Sequence, residues 1–315
     1  MAAVLSQATA APVVGLPRAL LYHKYAPLWK TFFESLGCKV LVSPATNRAI
    51  LTQGLQLAID ETCLPVKVFL GHVHSLIEKA DYIFIPHILT LHASERMCVK
   101  LFALGDLVRN VFRGVRLLEY DVDNEKRRTE FWGMVRIGLR LNPNIIAVLR
   151  AVFAARAALA KHNQAELLKQ QKQVEAEHDC RVLVVAHSYV THDALMGQQV
   201  SAILRNLGVG VVYADIADSD AARTRSREIS ADCYWTYSKE LLGGLAIYKD
   251  SVDGIIFLTT FPCGPDSLIF TLCQYVLKDK PSCVLTLDEL QGDAGLKTRL
   301  ESFVDILRIK KEASR

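Results

Sequence analysis

An alternation that runs, stops and starts again constrains this chain most. From Pro12 to about Val122 short apolar runs alternate with amphipathic stretches, and the pattern resumes at Arg181. Strand-length runs spaced by helix-length stretches give a parallel sheet with helices on both faces. The first stretch predicts strands at VVGL (13–16), KVLVS (39–43), YIFIP (82–86) and VRLLEYD (115–121). Its helices are expected near 20–36, stopping at Gly37, near 46–58, from Cys63 to about Lys79 with Pro65 in the first turn, and near 104–112. The second stretch predicts strands at RVLVVAH (181–187), VGVVYAD (209–215), VDGIIFLTTF (252–261) and CVLTLDE (283–289). Helices are expected near 192–206, 234–248, 266–278 and 295–310.

Residues 123–178 hold no strand-like run and are rich in Ala, Leu, Gln, Glu and Lys, which favours helix. The predicted fold is therefore α/β: two doubly wound, Rossmann-like or flavodoxin-like domains (13–122 and 179–315) joined by a helical connector (123–178). Residues 1–12 read as a disordered leader, Ala-rich but without the basic and apolar regions of a signal peptide. The balance of 37 basic against 33 acidic residues gives +4, too even for a nucleic-acid partner. No apolar run approaches the roughly 18 residues of a membrane span. The expected compartment is a reducing, cytoplasmic one, where special cysteines bind metal or react and disulfides are rare.

There are eight cysteines and no CxxC pair, so zinc-ribbon and ferredoxin patterns are absent. Cys98 and Cys263 each follow a predicted strand, at the sheet end where α/β proteins take ligands. Cys63-Leu64-Pro65 and Cys263-Gly264-Pro265 share the form Cys-x-Pro at an expected helix start. Free N–H groups and the positive end of the helix dipole favour a thiolate, or an anionic metal cluster, at such a place. Lys67 and Lys100 lie close in sequence to Cys63 and Cys98 and could add positive charge. Of the other five cysteines, which read as small buried hydrophobes, Cys233 alone remains a candidate extra ligand.

GLPRALLYHKYAPLWKTFFESLGCKV, DETCLPVKVFLGHV, DYIFIP, TTFPCGPDS and LTLDELQGDAGLKTRLESFVD resemble proteins of the acyl-CoA dehydratase activase-related family, the CoA-substrate-specific enzyme activases. Those are similar in turn to subunits of 2-hydroxyacyl-CoA dehydratases. The resemblance runs from about Val13 to Leu307. It implies an oxygen-sensitive [4Fe–4S] cluster on Cys63, Cys98 and Cys263, with one iron left open to substrate. It also implies electrons from an ATP-dependent activase carrying its own iron–sulfur cluster, a paralogous dehydratase-like subunit as partner, and a small-molecule or acyl-CoA substrate. The alternative is a non-catalytic cluster-binding or electron-relay subunit of a larger reductase. The middle motif departs from the family's Cys-Pro-Lys, reading Cys98-Val99-Lys100, and Pro86-His87 replaces the usual Pro-Arg. No phosphate loop is present, so the chain itself is not expected to hydrolyse ATP.

Further candidates for the substrate or cluster environment are Arg18 after the first strand, and His187 and Tyr189 after the first strand of the second stretch. Asp266 and Ser267 follow Cys263, where capping a helix is an equal reading. His72 and His74 point about 200° apart on a helix and share no metal face; His72 reads as a helix-face histidine.

Overall fold

The computed structural model describes residues 11–290 and 292–313. The leader expected over 1–12 lies, for residues 1–10, outside the described residues.

The first half opens with β1 (Val13–Leu16), α1 (Tyr22–Ser35), β2 (Lys39–Val42), α2 (Arg48–Leu57), α3 (Leu64–His74) and β3 (Tyr82–Phe84). It continues with β4 (His87–Thr90), α4 (Val99–Phe102), α5 (Leu104–Val111), β5 (Leu117–Leu118) and β6 (Asp121–Asp123). A helical hairpin follows, α6 (Glu130–Leu141) and α7 (Ile145–Glu175). The second half holds β7 (Cys180–Val185), α8 (Ser188–Thr191), α9 (Gly197–Asn206), β8 (Val209–Tyr213), α10 (Ser219–Arg225) and α11 (Thr236–Tyr248). It ends with β9 (Gly254–Thr260), α12 (Gly264–Val276), β10 (Ser282–Leu287) and α13 (Asp293–Ala313).

Both main sheets are wholly parallel and share one order. The first runs β2-β1-β3-β5 and the second β8-β7-β9-β10. Each half thus places its first and third strands side by side at the centre, where winding reverses and a crevice opens at the carboxyl ends. The alternation along β7 shows why both faces are covered. Val182 and Val184 enter one apolar core, while Leu183 and Val185 enter the other. The first core is continuous across the halves, joining Phe33, Leu70 and Ile83 to Val184, Ile256 and Leu300.

Local signals explain the boundaries. Gly37 and Gly208 end α1 and α9 with φ of +83° and +75°, the left-handed geometry that only glycine adopts without strain. Asn144 caps α7 by accepting from the N–H groups of Ile146 and Ala147. Helices α2 and α3 cross in backbone contact: a Cβ on Gly54 would collide with the Lys67 carbonyl, and one on Gly71 with that of Ile50. That crossing fixes α3, whose N-cap is Cys63.

Several elements differ from the sequence expectation. The strand expected over 115–121 keeps only two residues in the main sheet; the chain then leaves it as β6, which pairs parallel with β4 in a small second sheet. Helix α3 stops at His74 because tighter turns take over, Leu76 donating to the Val73 carbonyl. The stretch after β8, where no element was expected before the helix near 234–248, contains α10, capped by the Asp218 side chain on the Ala221 N–H.

Candidate cysteine site and adjoining cleft

Cys63, Cys98 and Cys263 are the N-cap residues of α3, α4 and α12. All three are half-buried and none forms a disulfide. Backbone bonds stitch the two halves together beside them. The Leu64 N–H donates to the Phe261 carbonyl at 3.1 Å, tying the Cys63 and Cys263 segments. The Arg96 N–H donates to Tyr234 at 2.8 Å and the Thr236 N–H to Arg96 at 3.1 Å, pinning the loop that carries Cys98.

All three thiols lie within electrostatic reach of one phenol, that of Tyr189. Burial raises the Tyr189 hydroxyl well above its ordinary range, and Asp266, Cys263, Cys63 and Cys98 add to the rise. Burial also raises Cys63, against the Val66 N–H, which favours its thiolate, and with Cys98, which opposes it; the nearby Lys100 lowers it. Cys263 is raised by burial and then by the Asp266 carboxylate, again against an N–H, that of Asp266. No capping hydrogen bond closes at any of these cysteines. At Cys63 and Cys263 the N–H three residues on faces the sulfur. Among the described residues no three His, Cys, Asp or Glu side chains close around a single metal ion. Three soft thiols at helix starts are donors of the kind that soft metals take.

His187, at the exit of β7, is buried and bonds Asp266 at 2.9 Å through Nε2. Asp266 also accepts from the Thr259 hydroxyl at 2.8 Å. Burial pushes the Asp266 carboxyl up, but His187, Thr259 and the Cys263 thiol outweigh it and hold the group below the usual carboxylate range. The Tyr189 ring stacks on His187, with centroids 4.9 Å apart.

Other expected participants go elsewhere. Lys67 is buried, and its Nζ bonds Glu289 at 2.7 Å, beyond β10. Ser267 donates to the Cys263 carbonyl at 2.7 Å, a helix-start bond. Arg18 is exposed, and its N–H donates to the Ser43 hydroxyl. His72 is fully buried, and its ring nitrogens reach Ser43 at 2.8 Å and Thr46 at 3.0 Å. His87 stacks on Phe102 and bonds Asp121 at 2.7 Å. Cys233 packs in the second core with Cys273, and its charged neighbours are Lys239 and Glu95.

Tyr189 and His187 also line a cleft of about 510 Å³ between α1, α7 and the carboxyl ends of β7 and β8. Its other polar walls include His23, His192, Asp215 and Glu240. Sequence reasoning passed over these four. Ala214-Asp215 stands at a strand's carboxyl end, and that was the readable sign.

Residues 13–216 match the family described as CoA enzyme activase uncharacterised domain. The chain belongs to this family. Its matched span covers the first half, the hairpin and the first two strands of the second sheet. Comparison with curated proteins finds no match. Among solved structures the family member is similar to one described as a sugar binding protein from Salmonella typhimurium LT2. That likeness covers 95% of this chain and 89% of the other, at 10% identity and a TM-score of 0.24. A likeness at that level carries no inference. No described helix is long and apolar enough to cross a membrane.

Proposed function

We propose that this chain holds a [4Fe–4S] cluster on Cys63, Cys98 and Cys263 and works as an iron–sulfur redox component akin to a 2-hydroxyacyl-CoA dehydratase subunit. In this reading its electrons come from a separate ATP-dependent activase, while the family's description, CoA enzyme activase domain, supports no more than an association with CoA-related enzymes. One observation supports the reading most: Cys63, Cys98 and Cys263 cap three separate helix starts from both halves, the Leu64 N–H bonds the Phe261 carbonyl between two of them, and all three thiols lie within electrostatic reach of the Tyr189 phenol.

When bound, such a cluster supplies one-electron chemistry, and three protein ligands leave one iron for substrate. The chain's own residues have definite tasks. The N–H groups of Val66 and Asp266 face the sulfurs and stabilise negative charge there. Lys100 adds positive charge beside Cys63. His187 is held in orientation by Asp266, and it backs the Tyr189 ring. The Tyr189 phenol keeps its proton, lines the cleft and lies within electrostatic reach of the thiols, so it is placed to donate a proton to a molecule bound there. A relay or scaffold would use a fourth protein ligand, but Cys233 lies in the second core; the cleft favours catalysis.

Anaerobic reconstitution followed by iron and sulfide assay and EPR tests this. About four irons per chain are expected for one cubane. Replacing Cys63, Cys98 or Cys263 by Ser should each abolish the reduced-cluster signal, while Cys38→Ser should retain it. Reconstituted wild type without iron, or a cluster surviving Cys98→Ser, would falsify the assignment.

A further inference from the structure

The even overall charge hides an uneven distribution. Residues 126–161, which span α6 and the first half of α7, hold eight basic residues and one acidic, against 29 and 32 in the rest of the chain. The one acid, Glu130, is half-buried and accepts from the Tyr120 hydroxyl at 3.1 Å. Among the described residues Arg136, Arg140 and Arg150 are exposed and make no ion pair or side-chain hydrogen bond.

The hairpin is buried on one side and bare on the other. Met134, Ile137 and Gly138 of α6 and Val148 and Val152 of α7 are buried. A Cβ on Gly138 would collide with Val148, so the two helices touch along this inner side. Trp132, Arg136, Leu139 and Arg140 recur at helical spacing on the exposed stripe of α6, and Ile146, Arg150 and Phe153 on that of α7. Trp132, Ile146 and Phe153 leave 63%, 60% and 61% of their surface to solvent, too much and too close together for scattered apolar residues. Ring contacts join the two stripes: Phe131 meets Trp132 at 5.2 Å and Phe153 at 6.0 Å between centroids. The outer face of the hairpin is thus one surface, on which arginines and large apolar side chains alternate and the hairpin places no exposed carboxylate.

We propose that this face lies on an anionic lipid bilayer, with Trp132, Leu139, Ile146 and Phe153 entering the headgroup layer and Arg136, Arg140 and Arg150 pairing with lipid phosphates. The arrangement decides between this occupant and an acidic protein. The buried centre of a protein interface is depleted of charge, whereas here an arginine stands among the large apolar side chains of both helices. A bilayer surface accepts that interleaving, because an arginine stem lies along apolar surface while its guanidinium stays with the phosphates. Each arginine near an anionic surface strengthens binding about fivefold, and the three together about a hundredfold. The binding is independent of the cysteine site.

The test is co-sedimentation of the full chain with vesicles of phosphatidylcholine alone and of phosphatidylcholine with phosphatidylglycerol in equal parts, at low and at high salt. The chain should bind the mixed vesicles at least tenfold more tightly than the neutral ones and lose that preference at high salt. Arg136→Gln/Arg140→Gln/Arg150→Gln should weaken binding to the mixed vesicles about a hundredfold, and Trp132→Ala about fivefold, each checked for a wild-type unfolding transition. Arg205→Gln/Arg227→Gln/Lys278→Gln, which removes the same charge from exposed positions outside the hairpin, should leave binding nearly unchanged, as should Cys63→Ser. No binding to either vesicle, equal binding to both, or an equal loss in the two triple variants overturns the proposal. A dimer in sedimentation velocity that the hairpin triple variant dissociates, without vesicle binding, assigns the face to a second copy and likewise overturns it.

Discussion

Acidification should destabilise this protein in part through His72. The Thr46 hydroxyl donates to Asp193, so its oxygen is left to accept from His72 Nε2 at 3.0 Å. The other ring nitrogen, Nδ1, then accepts from the Ser43 hydroxyl at 2.8 Å, and Ser43 accepts from the Arg18 N–H. Every proton in this chain of bonds is assigned, and the ring must be neutral. Burial, reinforced by the Arg18 charge, lowers the His72 pKa to about 4 from an ordinary 6.5. At pH 5 the unfolded histidine is stabilised by protonation about thirtyfold and the folded one hardly at all, a difference of about 2 kcal/mol. The sign follows from the depressed pKa: stability is full above pH 6.5 and is lost as pH falls from 6.5 toward 4. Asp193, raised by burial, acts the other way, because its folded form takes up a proton earlier. The clean measure is therefore a comparison. Urea unfolding at pH 7.5 and 5.0 should show His72→Gln losing about 2 kcal/mol less than wild type across that interval. An equal loss in both proteins would refute the neutral-histidine argument, whatever the variant costs at pH 7.5.

Other perturbations have equally definite outcomes. Gly71→Ala should destabilise by about 3 kcal/mol, because its Cβ meets the Ile50 carbonyl. Gly54→Ala added to it should cost clearly less than alone, since both force the same helices apart; additive costs in denaturant titrations would contradict this. Lys67→Met should cost about 2 kcal/mol by stranding Glu289, with recovery in Lys67→Met/Glu289→Leu; no recovery would show that the pair is not the cause. Gln170 clamps the exit of β8, donating to the Tyr213 and Ile216 carbonyls and accepting from the Tyr213 N–H. Gln170→Leu should cost about 2–3 kcal/mol and speed hydrogen exchange at Tyr213 and Ile216; unchanged exchange there would count against a clamp.

The main sheets were legible because their strands are apolar on both faces; β9, buried along its whole length, is the extreme case. The β4–β6 sheet was not, because HILT and DVD are too short and too mixed to stand out from a loop. The Cys-x-Pro reading predicted helix starts correctly at Cys63 and Cys263, where proline at the first turn signals the boundary. Nearness in sequence misled at Lys67: a helix carries a residue four positions on along its axis, and this side chain reaches Glu289 instead of the thiols. The His187–Asp266 pair spans 79 positions and leaves no local trace.

The order of the second sheet has a practical consequence for anyone working with the family-matched span. β7 is an interior strand, flanked by β8 on one side and β9 on the other. The match ends at residue 216, just after β8. A fragment cut there would keep β7 but strip away its other neighbour, baring a run of six apolar-rich positions as an open edge, the kind of template on which chains aggregate. It would also discard Cys263 and the apolar residues of β9 that complete the shared core. The recognised sequence boundary is thus a poor place for scissors: the smallest soluble piece that retains β7 should extend through β9 and β10, with the helices that cover them.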